Sequence, residues 1–222
     1  MKAFIVLAAA LLLPQEKNEA EELYKKMEAK FVQAKTIQMK MKAALNEGKV
    51  DVTAQLLVAE ENRAHFSAEM KFMDSTRTSS SVSDGKSIQL TSAEGMKLPA
   101  YETPETFGQL IRKGIAACGG LFAASVFSGG QAGTDPATAY KASAFVLGPK
   151  EKVGEIETQM VQYRVALKVG GDLVVMVWID PKTNLPVKRR LTSEHKAVEE
   201  TYSELKFDEK IDAAKFELPK EK

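Results

Sequence analysis

The spacing of hydrophobic and polar residues predicts the secondary structure of the chain from its start. Between residues 16 and 35, apolar residues recur every three or four positions and charged residues fill the opposite face, which predicts an amphipathic helix. From Ile37 to Leu45, apolar and polar residues alternate, as expected for a half-buried strand. The alternation recurs up to Leu90, with a hairpin signal at Asp84-Gly85. We therefore expect about five consecutive antiparallel strands after the helix.

A helical segment without a polar face interrupts the strands. Thr103-Pro104 has the residue types of a helix start, with Thr as the N-cap and Pro at the first helical position. Apolar residues follow at helical spacing from Phe107, and no charged residue occurs between Ile115 and Gln131. Such a segment is either an ordinary core helix or the cover of an apolar cavity. We hypothesise that residues 107–127 form a lid against the concave face of the sheet.

Strand alternation returns in the last third of the chain, from Val161 to Phe207. Asp180 to Asn184 has the residue types of a turn, and we expect Trp178 to anchor the adjoining strand by packing. One N-terminal helix, roughly ten strands and a helical insert together predict an α+β architecture.

Residues 1–15 have the pattern of a secretory signal. Lys2 precedes an apolar run from Ala3 to Leu13, which is too short to span a bilayer, since that needs about 20 residues. The alternative is a buried N-terminal helix. We expect cleavage between about Pro14 and Glu16 and export to the periplasm, with residues 16–222 forming one soluble domain. No cysteine follows the apolar run, so we expect no lipid anchor.

Charge balance and motifs argue against nucleic-acid binding and against catalysis. Lys plus Arg number 31 and Asp plus Glu number 30, and removal of residues 1–15 with Lys2 would leave a neutral chain that does not attract nucleic acid. His65 and His195 fall on polar strand faces without a second ligand at metal spacing. Cys118 has the apolar neighbours of an inert buried thiol. No carboxylate occurs in an apolar run that would tune its pKa for catalysis. We therefore expect a non-enzyme without a metal or cofactor.

Methionines in the predicted strands suggest where a ligand would bind. Methionine adapts to ligands of varied shape, but it also fills gaps in curved cores, and the sequence leaves both interpretations open. A sheet that curves around a helix has one concave apolar face, the kind of surface that small-molecule sites favour. The residues expected to line such a cavity are Met39, Met41, Phe66, Met70, Phe107, Leu110, Ile111, Leu121, Phe122 and Phe127.

Two motifs carry a resemblance to a known family. The strand-turn-strand hairpin of LolA-like periplasmic lipoprotein carriers is similar to residues 177–187, which read VWIDPKTNLPV. The closing segment of that family is similar to the residues from Phe207 to Pro219, and the order of elements is similar over most of the chain. The resemblance implies an open half-barrel formed by a curved antiparallel sheet, which encloses the N-terminal helix and the lid and binds acyl chains inside. The first strand, Thr36 to Leu45, departs from the family because it offers lysines where the carriers have a functional arginine.

Three functions remain as alternatives. The first is a non-catalytic periplasmic carrier or binder whose partner is a lipid or an acylated lipoprotein. The second is an envelope sensor or protein-interaction domain that uses the same groove for an envelope protein. The third is an unrecognised enzyme, which a pair of buried titratable groups would favour. In each case we expect a monomer that binds no nucleic acid.

Overall fold

The structure, a computed structural model, describes residues 18–45, 48–73, 75–129, 134–167, 171–193 and 197–219. The expected signal at residues 1–15 and the side chain of His195 lie outside these ranges.

Within the described ranges, eleven strands form one antiparallel sheet. The strands are β1 (Ile37–Leu45), β2 (Val50–Val58), β3 (Arg63–Phe72), β4 (Ser75–Asp84), β5 (Ser87–Thr91), β6 (Tyr101–Glu102), β7 (Tyr140–Val153), β8 (Ile156–Leu167), β9 (Asp172–Asp180), β10 (Leu185–Thr192) and β11 (Ala197–Phe207). Their order is β6-β5-β4-β3-β2-β1-β11-β10-β9-β8-β7, so the two strand groups join where β1 pairs with β11. The sheet is curved and unclosed, which confirms the predicted α+β open half-barrel.

Alternation along each strand gives the sheet one apolar face. In β1, the side chains of Ile37, Met39 and Met41 are buried, whereas those of Lys40 and Lys42 are exposed on the outer face. Since paired residues on neighbouring strands share a face, the same alternation continues across β2 and β3. The core therefore lies on the concave side, where the helices cover it.

Helix α1 (Glu19–Gln33) begins at a capping residue. The side-chain oxygen of Asn18 accepts hydrogen bonds from the N–H groups of Ala20 and Glu21 at 3.1 and 3.2 Å, and the first turn is acidic, which suits the helix dipole. The helix buries Tyr24, Met27 and Phe31 against the sheet. This face is the one that the helical spacing predicted.

The central insert is a bent segment, not one continuous helix. It consists of α2 (Phe107–Cys118), α3 (Gly120–Ala123), a 3-10 helix (Ala124–Ser128) and, further on, α4 (Pro136–Ala139). Gly119 separates α2 from α3 with φ 95° and ψ 176°, a conformation that is open essentially to glycine alone.

The start of α2 differs from the sequence prediction. Thr103 is buried and its hydroxyl lies 3.1 Å from that of Ser83, so it is not the N-cap. The helix begins at Phe107 instead, and the Asn62 side chain accepts a hydrogen bond from the Gly108 N–H at 2.9 Å. A side chain from the loop between β2 and β3 thus supplies the cap that local sequence rules assigned to Thr103.

Strand β7 was absent from the sequence prediction. Its pairing with β8 shifts register between Ser143 and Val146 and again between Leu147 and Lys150, and Ala144 has a positive φ of 54°. These irregularities disrupt the alternation of apolar and polar residues by which a strand is recognised in a sequence. The strand is nevertheless 14 residues long and forms one edge of the sheet.

Candidate functional site

The segment Phe107–Ser128, here called the lid, lies directly on the concave face of the sheet. A Cβ atom added to Gly120 would lie 2.6 Å from the sulfur of Met41 and 2.8 Å from that of Met39. Real Cβ atoms do not approach other atoms so closely, so the lid backbone at Gly120 lies directly against the ends of the methionine side chains of β1. The lid position predicted from the missing polar face therefore matches the structure.

A fully buried arginine holds the end of α2. Arg189 of β10 donates from Nη1 to the carbonyl of Ile115 at 2.6 Å and from Nη2 to the carbonyl of Ala116 at 2.9 Å. The hydroxyl of Tyr163 on β8 donates to the next carbonyl, that of Ala117, at 2.8 Å. Carbonyls in the last turn of a helix have no partner within the helix, so these side chains satisfy them and fix α2 to the sheet.

A fully buried glutamate holds the start of α3. Glu200 of β11 accepts hydrogen bonds from the N–H groups of Gly120 and Leu121, both at 3.0 Å, and from the hydroxyl of Tyr202 at 2.7 Å. It also lies opposite Arg189 in the register of β10 and β11. The positive charge therefore meets helix carbonyls and the carboxylate meets helix N–H groups, as helix termini require.

The environment of this pair shifts the pKa values of its members. Burial raises the pKa of Glu200, although the Tyr202 hydroxyl, Arg189 and the two lid N–H groups counteract that shift. Burial lowers the pKa of Arg189, but Tyr202, Tyr163 and Glu200 outweigh it and raise the pKa above its usual value. The guanidinium is therefore charged in the folded protein.

Sequence reasoning missed Arg189 and Glu200: no apolar run of the sequence contains Glu200, yet the fold buries it and burial raises its pKa. Both residues could have been found from the alternation of buried and exposed positions along their strands. Glu200 shares its strand face with Val198 and Tyr202, and Arg189 shares its face with Leu191. Both charged residues were assigned to solvent by residue type, although their positions belong to the buried face.

The buried pair also bears on the enzyme alternative. Both oxygens of Glu200 accept hydrogen bonds from lid N–H groups, and both terminal nitrogens of Arg189 donate to lid carbonyls. The part of the chain that the structure describes contains no group of three His, Cys, Asp or Glu residues placed to hold a metal ion. Since the charges are engaged with backbone atoms, their geometry fits the positioning of the lid better than a reaction.

The other two candidates for chemistry are Cys118 and His65. Cys118 is fully buried, and burial raises the pKa of its thiol to about 12, so the thiolate that would react is suppressed. Burial lowers the pKa of His65, which is half-buried on the outer face, where Lys215 also lies. The prediction of a buried Cys118 is confirmed.

The residues expected to line a cavity fall into one core cluster. Seven are buried in it: Met39, Met41, Phe66, Phe107, Leu110, Ile111 and Phe127. Met70, Leu121 and Phe122 are partly buried against the same cluster. Most of these residues therefore pack against one another in the core. Leu121 and Phe122 are the two that face the cavity described in the next paragraph. Their role in binding a ligand stays a prediction.

A cavity of about 310 Å³ lies between the lid and strands β1, β9, β10 and β11. Its lining residues are Leu45, Leu121, Phe122, Ser125, Leu173, Leu191, Ser193, Val198 and Glu200. Most of these side chains are hydrocarbon. The carboxylate of Glu200 is engaged in its hydrogen bonds with the lid N–H groups and the Tyr202 hydroxyl. The chemistry of this lining suits a hydrocarbon chain rather than a polar metabolite.

Other concavities in the described ranges are larger, and charged or hydroxyl-bearing side chains make up more of their linings. One, of about 450 Å³, lies on the outer face of the sheet and includes Lys40, Gln55 and Ser67. Another, of about 670 Å³, lies between α1 and the β7–β8 hairpin and includes Lys150 and Glu157. Their charged and hydroxylated linings differ from the cavity under the lid. No helix in the described ranges is long and apolar enough to cross a membrane.

Comparisons with known proteins identify the fold. No family model and no curated protein sequence matches the chain. Among solved structures, LprF from Mycobacterium bovis aligns over 84% of this chain and 92% of its own, with 12% identity and a TM-score of 0.52. The lipoprotein LppX from Mycobacterium tuberculosis aligns over 87% and 98%, with 10% identity and a TM-score of 0.46. A LolA superfamily protein from Nitrosomonas europaea aligns over 90% and 97%, with 10% identity and a TM-score of 0.39. The half-barrel fold expected from the sequence is shared with LprF over most of both chains, and at 12% identity this likeness concerns the fold alone.

Proposed function

We propose that this protein is a non-catalytic binder or carrier that takes up the acyl chain of a lipid or lipoprotein in the cavity under the lid. The observation that supports this proposal is the cavity itself, in which leucine, valine and phenylalanine side chains from the lid and from four strands surround about 310 Å³. An acyl chain that packs against these hydrocarbon side chains removes apolar surface from water, which favours binding.

The lid contacts support a role in retaining the ligand. Its two helix ends are held by Arg189, Tyr163 and Glu200, so the backbone on either side of Gly119 is fixed to the sheet. Leu121 and Phe122 follow this fixed point and face the cavity. Because the fixed backbone directs these side chains, the lid keeps the cavity wall apolar.

Filling the cavity tests the proposal. Ser125 lines the cavity, so Ser125→Trp places a bulky ring in the space that an acyl chain would occupy. Titration of the purified protein with a fluorescent fatty acid should show saturable binding by the wild type and loss of that binding in Ser125→Trp. The matched control is Ser128→Trp, since Ser128 is exposed at the end of the same 3-10 helix and does not line the cavity.

The outcomes separate the alternatives. Equal binding by the wild type and both variants would place the fatty acid elsewhere on the surface and contradict the proposal. A wild type that binds no fatty acid but retains an envelope protein would favour the sensor alternative. Circular dichroism of each variant confirms that the fold is retained.

The proposed place of action is the periplasm, as a monomer without a lipid anchor. The support is the signal pattern at residues 1–15, where Lys2 precedes the apolar run from Ala3 to Leu13. Expression from the native start should give a shortened protein in the periplasmic fraction. Recovery of the intact N-terminus in the cytoplasm would contradict export.

A further inference from the structure

A row of apolar side chains crosses the concave face from the cavity to the exposed end of β3. Register pairs Leu191 with Val198, Val198 with Leu45, Leu45 with Val50, and Val50 with Phe72. These five residues, here called the apolar row, lie on five adjacent strands and share one face of the sheet. With neighbouring strands about 4.8 Å apart, the row spans about 19 Å.

Exposure increases along the apolar row. Leu191 is 5% exposed and lines the cavity together with Val198 and Leu45. Val198, Leu45 and Val50 are half-buried, and Phe72 is 47% exposed. Scattered apolar side chains are ordinary on a protein surface, but a continuous row that begins inside a cavity and ends in solvent is not.

We propose that the apolar row is the path by which an acyl chain enters the cavity, with Phe72 at its outer end. This inference rests on the proposed function and adds the route to the site. A hydrocarbon chain that slides along the row contacts apolar side chains from solvent to cavity, so it need not cross the polar edge of the sheet.

The charges beside the row favour a hydrocarbon occupant. At the outer end of the row, Arg77 lies on the same face as Phe72, since it pairs in register with Met70, and its guanidinium lies 3.5 Å from the carboxylate of Glu94. Because that carboxylate balances Arg77, the row does not present an uncompensated charge from Arg77 to an anionic headgroup. The headgroup of the ligand would therefore stay in solvent while its chain follows the row.

A thiol label tests the path. Cys118 is the only cysteine of the chain and is fully buried with a raised pKa, so Phe72→Cys introduces one reactive thiol at the outer end of the row. After reaction with a maleimide carrying a bulky polymer, this variant should lose rapid uptake of a fluorescent fatty acid in stopped-flow mixing.

The matched control is Lys71→Cys with the same label. Lys71 neighbours Phe72 on β3, but its side chain points to the outer face and is 65% exposed. The labelled control should take up the fatty acid at the wild-type rate.

The possible outcomes distinguish a failure of the entry path from a failure of the proposed function. Equal uptake rates for the two labelled proteins would overturn the path while leaving the proposed function intact. A wild type that takes up no fatty acid would overturn the proposed function and the path with it. A wild-type dimer in sedimentation that labelling at residue 72 dissociates would show that the row is an interface between two copies, which also contradicts the path.

Discussion

Gly119 offers the sharpest test of how the lid is held. Its φ of 95° and ψ of 176° fall in a region that other residues enter at a cost of about 1–3 kcal/mol. A Cβ atom there would also lie 2.9 Å from Cδ of Glu200 and 3.1 Å from Nη1 of Arg189. Both side chains are fully buried and hydrogen-bonded to the lid, so neither can move aside without losing those bonds.

The predicted magnitude for Gly119→Ala is the sum of two costs. Overpacking of a buried site adds about 1–3 kcal/mol to the backbone cost. The free energy of unfolding should therefore fall by about 2–6 kcal/mol, and the midpoint of thermal unfolding by about 10 °C. Urea denaturation followed by circular dichroism measures the first quantity directly.

Gly129→Ala is the matched control for the backbone term. Gly129 has φ 81° and ψ 5°, and an added Cβ would meet no atom within 4 Å. That substitution should cost about 1–2 kcal/mol, which is the strain of the left-handed conformation alone. Equal losses in the two variants would refute the account, because they would show that Glu200 and Arg189 leave room beside Gly119.

Other substitutions test the same interior. Glu200→Ala leaves the buried Arg189 without its opposing carboxylate and should cost about 3–5 kcal/mol in urea denaturation. Glu204→Ala on the outer face of β11 removes only surface ion pairs with Lys40 and Lys206 and should change the free energy of unfolding little. Cys118 should react with a maleimide only after unfolding, since burial raises its pKa to about 12, and rapid modification of the native protein would contradict its placement. Trp178 is 8% exposed and donates its indole N–H to Glu151, so Trp178→Ala should cost about 3–5 kcal/mol, and a near-zero shift of the thermal midpoint would show that it does not anchor the strand.

The strand alternation predicted the fold well where the sheet is regular. Strands β1 to β3 each bury one face, and the turn before β10 forms as expected, with Asn184 left-handed at φ 55°. Strand β7 could not be predicted in this way. It is an edge strand with two register shifts, and most of its side chains are exposed, so burial imposes no period of two on its sequence.

The candidate site was predictable in part. The lid was found because a helix without a polar face must lie against something apolar. Its break at Gly119 was not found, since the break depends on Glu200 and Arg189, which are distant in sequence and meet the lid only in the folded chain. The cavity wall formed by Leu173, Leu191 and Val198 was also missed, because strand pairing, not local pattern, places these residues opposite the lid.

The central claim is that the cavity holds an acyl chain, and native mass spectrometry of protein purified from its own envelope tests it most directly. The wild type should carry added mass that organic extraction releases as an acyl lipid. Ser125→Trp, purified in the same way, should carry none, because the indole ring occupies the space between the lid and β10. A bare wild-type mass, or the same lipid on both proteins, would contradict the account.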